Sequence, residues 1–224
     1  MIRIFSVFLG AVALLASAQV ALAQNAAPSD EPMFSDAERD RIRAEALVAI
    51  LQYPEIIEEA MAVLEQRRAN AALASVLADP NTPILGNPDA EVTLIEFFDY
   101  NCGYCRRMAE PLRDLIKDDG ELRIVMIETP ILSEESLGAA QASLAASILG
   151  IDYSDVHFGA MIGSGRASGN SVAGIAVELG VNEDDLRAYM DGDEVAATIT
   201  RNYAAMQAMD ISGTPAFIVA SSPS

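Results

Sequence analysis

Two cysteines placed three residues apart are the part of this sequence best suited to chemistry. Cys102 and Cys105 are the only cysteines among the 224 residues, and they stand in the stretch FFDYNCGYCRR. At the start of a helix, residues i and i+3 share one face, at a separation that a disulfide can bridge. The free N–H groups and the dipole of a helix N-terminus stabilise a thiolate at the first cysteine. The spacing predicts redox chemistry, with Cys102 as the nucleophile and Cys105 as the resolving thiol.

Two other roles for the cysteine pair are open on sequence alone. The first is a structural disulfide, but closing a ring of four residues removes only about 2 kcal/mol of chain entropy, less than a longer bridge would. The second is a zinc site, although structural zinc takes four ligands and the chain has a single histidine, His157. His157 itself is expected to be a packing or surface residue. Redox chemistry is favoured, and no metal or other cofactor is expected.

The segments around the pair follow a strand–helix–strand order. Residues 92–98 are nearly all apolar, which is typical of a strand buried on both faces. Residues 106–117 predict a helix, interrupted or kinked at Pro111, and residues 122–128 predict the next strand. This order predicts a right-handed βαβ unit with the cysteines directly after its first strand.

The rest of the main domain is mostly helical in pattern. From residue 133 to about residue 209, glycine-containing breaks separate four or five helical stretches. Residues 211–220 return to strand character around Thr214 and Pro215. The turn-rich residues 81–88 predict a linker with a short edge strand. The expected fold is an α/β layer interrupted by a helical insertion.

The first 23 residues have the layout of a secretory signal peptide. The positive charge of Arg3 precedes an apolar stretch, and the tripeptide ALA before Gln24 is a small-residue cleavage site. An uncleaved membrane anchor is the alternative, but the apolar stretch is short for a span and is broken by serines and a glycine. The mature protein is therefore expected outside the cytoplasm, in an oxidising compartment. Residues 24–34 lack periodicity and predict a flexible lead.

The composition limits the classes of partner. The formal net charge is −19 and no basic patch is present to attract phosphate, so no nucleic acid is expected as a partner. The hydrophobic content of 51% is enough for a core and excludes a disordered acidic protein. The charge indicates solubility and says nothing about a particular activity.

Residues 35–78 predict two helices ahead of the sheet. Ser35 and Glu38 form a capping box, and the first helix is expected to end at about Gln52. Pro54 suits the first turn of the second helix. The two helices are too small to bury their own apolar stripe, so this segment either packs on the main domain or self-associates.

Three features together resemble the DsbA-like branch of the thioredoxin superfamily. They are the strand and cysteine motif IEFFDYNCGYC, the inserted helices and the motif GTPAF, and they extend over residues 83–220. Within that branch the chain is most similar to ScsC-type periplasmic proteins, which carry an N-terminal helical segment similar to PEIIEEAMAVLEQRR. The resemblance implies a thioredoxin-like sheet with a helical insertion at about residues 133–209. It also implies that the N-terminal helical segment makes a homo-oligomer, with a trimer favoured.

The resemblance also implies roles for individual residues. Cys102 and Cys105 match the redox pair, and Glu96 matches the buried acid six residues before the first cysteine. Pro215 matches the cis-proline that faces the disulfide, and Thr214 matches the residue before it. With a cis bond there, the Thr214 backbone would be presented for strand-like pairing with an unfolded segment of substrate.

Glu96 has two interpretations at this point. On an edge strand its carboxylate would point to solvent. Its apolar neighbours favour burial instead, where the pKa of a carboxyl rises and the group can exchange protons with Cys105.

The C-terminal end departs from the family pattern. Family members usually continue past the strand after the cis-proline with one more strand and a helix, whereas this sequence ends at Ser224 after a short tail, residues 221–224. On this comparison the final strand and helix of the fold are missing, which would leave an unpaired strand edge and exposed apolar surface. A truncated sequence and a partner that fills the gap are both compatible with the pattern.

The sequence therefore predicts a periplasmic thiol–disulfide oxidoreductase. Its expected partners are unfolded or misoxidised secreted proteins and a membrane redox partner. An isomerase or reductase is favoured over an oxidase, because strongly oxidising relatives carry a histidine between the cysteines, whereas Gly103 and Tyr104 bring no cation. Arg106 and Arg107 are expected to point along the helix and to be partly screened, so they add little stabilisation to the thiolate. Threonine is common before the cis-proline in isomerase-type relatives, so Thr214 favours the same direction. A DsbA-like dithiol oxidase and a non-catalytic chaperone or metal-binding module are the alternatives.

Overall fold

The computed structural model describes residues 33–221. The predicted signal peptide, most of the predicted lead and residues 222–224 lie outside the described residues. The helices are α1 (Asp36–Gln52), α2 (Glu55–Leu77), α3 (Gly103–Asp118), α4 (Glu134–Ile148), α5 (Tyr153–Ile162), α6 (Gly169–Glu178), α7 (Glu183–Met190) and α8 (Asp193–Ala208). The strands are β1 (Ile84–Gly86), β2 (Val92–Phe98), β3 (Leu122–Glu128) and β4 (Ala216–Ser221).

The described residues belong to two compact units, divided between Ile57 and Glu58. The first unit contains α1, which begins with the predicted capping box. The Ser35 hydroxyl accepts a hydrogen bond from the Glu38 N–H, and the Glu38 carboxylate accepts one from the Ser35 N–H. No residue of α1 is buried, so its apolar side chains are exposed on this unit.

The second unit contains most of α2 and the whole sheet. The sequence placed the end of the N-terminal segment at residue 78, whereas the structure divides the chain within α2. The reason is that the last turns of α2 pack on the sheet, with Val76 fully buried and with Ala72 and Leu73 against the same core. The C-terminal part of this helix therefore belongs to the same unit as the sheet, which agrees with the alternative that the N-terminal helices pack on the main domain.

The sheet has four strands in the order β1-β3-β2-β4. The central pair, β2 and β3, is parallel, and α3 connects the two strands in the predicted βαβ arrangement. The outer strands β1 and β4 run antiparallel to their neighbours. Five helices, α4 to α8, stand between β3 and β4. The predicted α/β thioredoxin-like fold with a helical insertion is confirmed.

Alternate residues of β2 face two different cores, as expected for a strand buried on both sides. Leu94 and Phe98 face the larger core, which is built with α3 and the inserted helices. Ile95 and Phe97 face the smaller core, which is built with α2 and the C-terminal part of α8. The carboxyl end of β2, where the cysteine motif begins, is thus held from both sides.

Two predicted elements have different bounds in the structure. The helix after the cysteine motif begins at Gly103 and not at Arg106, and it runs to Asp118 without interruption at Pro111. The last strand begins at Ala216, after the TP dipeptide, and not at residue 211.

Within residues 33–221, no helix combines the length and apolar character needed to cross a membrane.

Candidate active site

Cys102 and Cys105 occupy the beginning of α3, directly after the carboxyl end of β2. Cys102 is the N-cap of α3, with extended backbone, and its N–H donates to the Asp99 carbonyl at 3.0 Å. Its Sγ atom accepts a hydrogen bond from the Cys105 N–H at 3.4 Å. A cysteine sulfur at this place takes the position of the usual capping oxygen, so the free N–H groups of the first turn face it.

The two thiols have opposite electrostatic environments. Burial acts to raise the pKa of Cys102, but hydrogen bonds with Cys105, Thr214 and the Tyr104 backbone outweigh it and lower the pKa below its ordinary value. Burial raises the pKa of Cys105 far above the ordinary value, and the adjacent Cys102 adds to the rise. Cys105 is fully buried, whereas 6% of Cys102 is exposed. The first thiol can therefore ionise and react, and the second is held protonated behind it.

Thr214 and Pro215 lie opposite the first thiol. The Sγ atom of Cys102 is 3.2 Å from the Thr214 carbonyl oxygen, and the Thr214–Pro215 peptide bond is cis. Strand β4 begins at the next residue, Ala216, and pairs with β2. The antiparallel pairing of β4 with β2 brings the TP dipeptide, more than a hundred residues later in the chain, to the cysteine motif.

Glu96 is buried in the centre of the sheet. It lies on β2, opposite Met126 of β3 and Phe217 of β4, so the interpretation as a solvent-facing residue of an edge strand is wrong. It points to the same side of the sheet as Phe98, toward the core that contains Cys105. Burial raises the pKa of its carboxyl to about 8, and within the described residues Oε1 has no hydrogen-bond partner.

The two residues between the cysteines are exposed, and Arg107 folds back toward them. The Arg107 guanidinium carbon is 4.2 Å from the centroid of the Tyr104 ring, and a terminal nitrogen of Arg107 approaches Gly103. The expectation that this side chain points along the helix away from the dipeptide is therefore wrong. Tyr104 and Arg107 are three residues apart on α3 and share a face, which allows the cation–π contact. Since both side chains are exposed, solvent screens the charge.

A second buried acid, Glu128, was not predicted as a site residue. It ends β3, where its Oε1 accepts a hydrogen bond from the Tyr153 hydroxyl at 2.9 Å and lies 3.4 Å from the Tyr100 hydroxyl. The Tyr100 hydroxyl is also 2.7 Å from Ser143 Oγ on α4. Burial is the main cause that raises the pKa of Glu128 to about 8, against the hydrogen bonds from its neighbours. Glu128 thus joins β3 to Tyr100, two residues before Cys102.

His157 packs beside this group, in agreement with the packing role expected for it. Its ring stacks on Tyr153 with the centroids 5.5 Å apart and meets Phe98 edge-on at 4.9 Å. Complete burial lowers the pKa of His157 to about 3, which keeps the ring neutral. His157 is thus a core residue of the insertion, and the ring contacts described for it are with aromatic side chains.

The acids at the ends of β2 and β3 could have been inferred from topology. Asp99 directly follows β2, and Glu128 is the last residue of the parallel neighbouring strand β3. The carboxyl ends of such strands meet at one edge of a sheet. The hydrogen bonds around Glu128 could not be inferred, because Tyr153, which donates to Glu128, and Ser143, which is bonded to Tyr100, come from helices whose packing the local sequence does not specify. In residues 33–221, no group of three or more His, Cys, Asp or Glu side chains is arranged to hold a metal ion.

Comparison with known proteins agrees with this geometry. The family model described as Thioredoxin matches residues 78–222. The chain belongs to the thioredoxin family. Its match begins directly after α2 and extends over the sheet, the cysteine motif and the helical insertion.

Solved structures place this thioredoxin-family chain in the DsbA-like branch, as predicted. A thioredoxin-like oxidoreductase from Silicibacter pomeroyi DSS-3 is 43% identical, covers 65% of this chain and 83% of its own, and superposes with a TM-score of 0.61. The thiol-disulfide exchange protein α-DsbA2 from Wolbachia pipientis is 27% identical over 84% of this chain and 90% of its own, with a TM-score of 0.60. ScsC from Proteus mirabilis is 25% identical over 80% of this chain and 94% of its own, with a TM-score of 0.57.

Relatives of the thioredoxin-family chain also include much longer proteins. The Na(+)/H(+) antiporter NhaA from Herminiimonas arsenicoxydans is 30% identical over 154 residues, which are 66% of this chain and 24% of the antiporter. NhaA 1 from Salinispora arenicola is 27% identical over 164 residues, 68% of this chain and 25% of the antiporter. The chain thus spans about a quarter of the length of these curated relatives.

Proposed function

We propose that this protein is a thiol–disulfide oxidoreductase in which Cys102 attacks and Cys105 resolves. The observation that carries the proposal is the environment of the Cys102 sulfur. It caps α3, accepts the Cys105 N–H and lies 3.2 Å from the Thr214 carbonyl, while Cys105 is buried directly behind it. A lone structural disulfide does not require one activated, partly exposed thiol and one protonated, buried thiol.

The reaction with a substrate disulfide has two exchange steps. The Cys102 thiolate attacks one substrate sulfur, the substrate S–S bond breaks, and the second substrate sulfur leaves as a thiolate. Cys105 then loses its proton and attacks the Cys102 sulfur, which breaks the mixed disulfide and releases the first substrate sulfur. The substrate disulfide has gained two electrons and two protons, and the Cys102–Cys105 pair has been oxidised. The reverse sequence oxidises a substrate dithiol.

Glu96 accepts the proton that Cys105 loses in the resolving step. Its position supports this role, since it lies on the side of β2 that faces the core containing Cys105. With a pKa of about 8, its carboxyl exists in both protonation states near neutral pH. A direct contact is not required, because one water molecule can carry a proton between two buried groups.

Isomerase or reductase activity is favoured over oxidase activity. An oxidase is strongly oxidising because its reduced, thiolate form is strongly stabilised. Here the dipeptide Gly103-Tyr104 brings no charge of its own, and the Arg107 cation that folds over Tyr104 is exposed and screened. The remaining stabilisation of the Cys102 thiolate comes from the first turn of α3 and from Thr214. For an isomerase, the released substrate thiolate attacks the mixed disulfide and regenerates the Cys102 thiolate with no net electron transfer.

The substrates in this proposal are unfolded or misoxidised secreted proteins, and the compartment is the periplasm. Near Cys102, the Thr214 backbone borders the sulfur and offers main-chain groups to an extended peptide. A membrane redox partner returns electrons to the pair after each net reduction. The exposed apolar side chains of α1 assemble several copies, with a trimer favoured, and several sites around one substrate raise the effective concentration of thiolate.

Two activity assays test this function and its direction. The pre-reduced protein is added to a scrambled multi-disulfide protein, and the oxidised protein is added to the same substrate in reduced form. The proposal expects recovery of native disulfides in the first assay, faster than oxidation in the second, and loss of both in Cys102→Ser. Fast oxidation without unscrambling would assign the oxidase direction. Inactivity of the wild-type protein in both assays would contradict the function itself.

A further inference from the structure

The two residues that directly flank the CGYC motif are both hydrogen-bonded to one turn of the helical insertion. Asn101 precedes Cys102, and Arg106 follows Cys105. The turn connects α5 to α6 and comprises residues 163–168. Asn101 reaches the main chain of this turn at Ala167, and Arg106 reaches it at Gly163, although both residues are more than fifty positions away along the chain.

Asn101 makes a two-point contact with the main chain of the turn. Its Nδ2 donates to the Ala167 carbonyl at 2.8 Å, and its Oδ1 accepts from the Ala167 N–H at 2.9 Å. Nδ2 also donates to Ser136 Oγ at 3.1 Å. All three side-chain hydrogen-bonding directions used by Asn101 thus go into the insertion, and Ala167 and Ser136 are buried there.

Arg106 makes a comparable contact from the other side of the motif. Its Nη1 donates to the Ala160 carbonyl at 3.1 Å and to the Tyr100 carbonyl at 3.4 Å, and its Nη2 donates to the Gly163 carbonyl. Ala160 lies in the last turn of α5, and Gly163 is its C-cap. The carbonyls of a last turn lack partners within the helix and carry negative partial charge, so a guanidinium satisfies them well.

We infer that Asn101 and Arg106 are positioning residues that together hold the first turn of α3 at the distance from Cys102 that its reactivity requires. The inference rests on the proposed function and deepens it. The Cys102 sulfur depends on N–H groups of that turn for its stabilisation, and a hydrogen bond weakens steeply as its length and angle deteriorate. A loosened turn therefore stabilises the thiolate less, which shifts the equilibrium of the pair toward the disulfide.

The test uses equilibration of the full chain with glutathione, in which the Cys102–Cys105 disulfide and two glutathione thiols exchange with the dithiol and glutathione disulfide. Asn101→Ala and Arg106→Lys are measured against wild type. Lysine keeps the charge of Arg106 but cannot donate in a fork to several carbonyls. We expect each variant to shift the equilibrium constant about three- to tenfold toward the disulfide, because each loses one to three hydrogen bonds of ordinary strength. The rate of alkylation of Cys102 as a function of pH should show a correspondingly higher pKa.

Arg201→Ala is the matched control for a general loss of stability. Arg201 lies on α8, away from the cysteine motif, and forms a partly buried ion pair with Asp79. Loss of this ion pair weakens the fold without loosening α3. Asn101→Gln, which keeps an uncharged amide but moves it one methylene away from its partners, is a milder variant in case Asn101→Ala does not fold. The inference would be overturned if both flanking variants had equilibrium constants within twofold of wild type and the alkylation pKa of wild type. It would also be overturned by an equal shift in Arg201→Ala. Failure of the wild-type pair to exchange with glutathione would instead count against the proposed function, and the alkylation pKa would still test the positioning role of Asn101 and Arg106.

Discussion

The Sγ atom of Cys102 lies 3.2 Å from the carbonyl oxygen of Thr214, a residue 112 positions later in the chain. This relationship joins the two parts of the fold that carry the proposed chemistry. One is the N-terminus of α3, which polarises the sulfur, and the other is the entry to β4, whose main chain borders it. A substrate disulfide that reaches Cys102 is therefore expected to pass beside the Thr214 backbone.

The first prediction concerns the difference between the two thiols. Iodoacetamide should alkylate Cys102 with an apparent pKa below the roughly 8.5 of a free cysteine, because hydrogen bonds from the first turn of α3 stabilise its thiolate. Cys105 should stay unmodified in the folded protein, since it is fully buried and its pKa is raised. Alkylation rates from pH 5 to pH 10, with peptide mapping by mass spectrometry, measure both. Equal reactivity of the two thiols would contradict the assignment of nucleophile and resolving thiol.

The second prediction concerns Glu96. Glu96→Gln removes the proton acceptor without changing the shape of the side chain, so resolution of the mixed disulfide by Cys105 should slow by about tenfold to a hundredfold. Attack by Cys102 on the substrate should change much less. Stopped-flow or quenched mixing with a disulfide peptide separates the two steps. Glu128→Gln is the control, a second buried acid at the end of the neighbouring strand. If resolution is equally fast in Glu96→Gln and wild type, Glu96 has no role in proton transfer.

The third prediction is a decrease of stability as the pH rises. Burial raises the pKa of both Glu96 and Glu128 to about 8, so between about pH 4.5 and pH 8 the folded chain holds protons that the unfolded chain has lost. The free energy of unfolding should therefore fall with rising pH in this window, by up to about 1.4 kcal/mol per pH unit for each carboxyl. His157, with its pKa lowered to about 3, acts in the opposite direction, but only below about pH 6.5.

Urea unfolding at pH 5, 6.5 and 8 can isolate the contribution of one carboxyl. The stability of Glu128→Gln relative to wild type should increase by about 1 kcal/mol per pH unit across this range, whatever its offset at pH 5. Glu110→Gln, a change at an exposed site on α3, should follow the wild-type profile. Parallel profiles for Glu128→Gln and wild type would show that Glu128 is ionised in the folded state.

The local sequence was sufficient to predict the helices and strands, but it was not sufficient to predict how they pack on one another. The apolar runs of β2 and β3 gave both strands with their bounds, and the Ser35–Glu38 capping box gave the start of α1. The resemblance to a known family located Glu96 and the TP dipeptide. The hydrogen bonds of Asn101 with Ala167, 66 residues away, depend on how the inserted helices pack. No local pattern encodes such a contact. For the same reason the sequence left open whether the end of α2 packs on the main domain or self-associates, and the structure shows it packed on the sheet.

The fourth prediction concerns assembly through α1. The chain that begins at residue 24 should be an oligomer, and a chain that begins at residue 54 should be a monomer. The reason is that no residue of α1 is buried within one copy, so its apolar side chains are free to pack against other copies. Cutting before α2 keeps Val76 and Leu73 in their places against the sheet. A milder variant, Leu51→Asp, changes a side chain that is 73% exposed. Light scattering measures the masses, and a monomeric mass for the longer chain would contradict the proposal.

The central claim is that Cys102 forms, and Cys105 resolves, a mixed disulfide with substrate proteins, and covalent trapping tests it most directly. Cys105→Ala, incubated with a disulfide-containing protein and quenched with acid, should accumulate a covalent adduct through Cys102 that a reductant releases. Cys102→Ala should form none, because its remaining thiol is buried and protonated. Mass spectrometry of the intact adduct identifies the linked residues. The absence of an adduct in Cys105→Ala, with both variants merely less stable than wild type, would contradict the oxidoreductase assignment and favour a structural role for the pair.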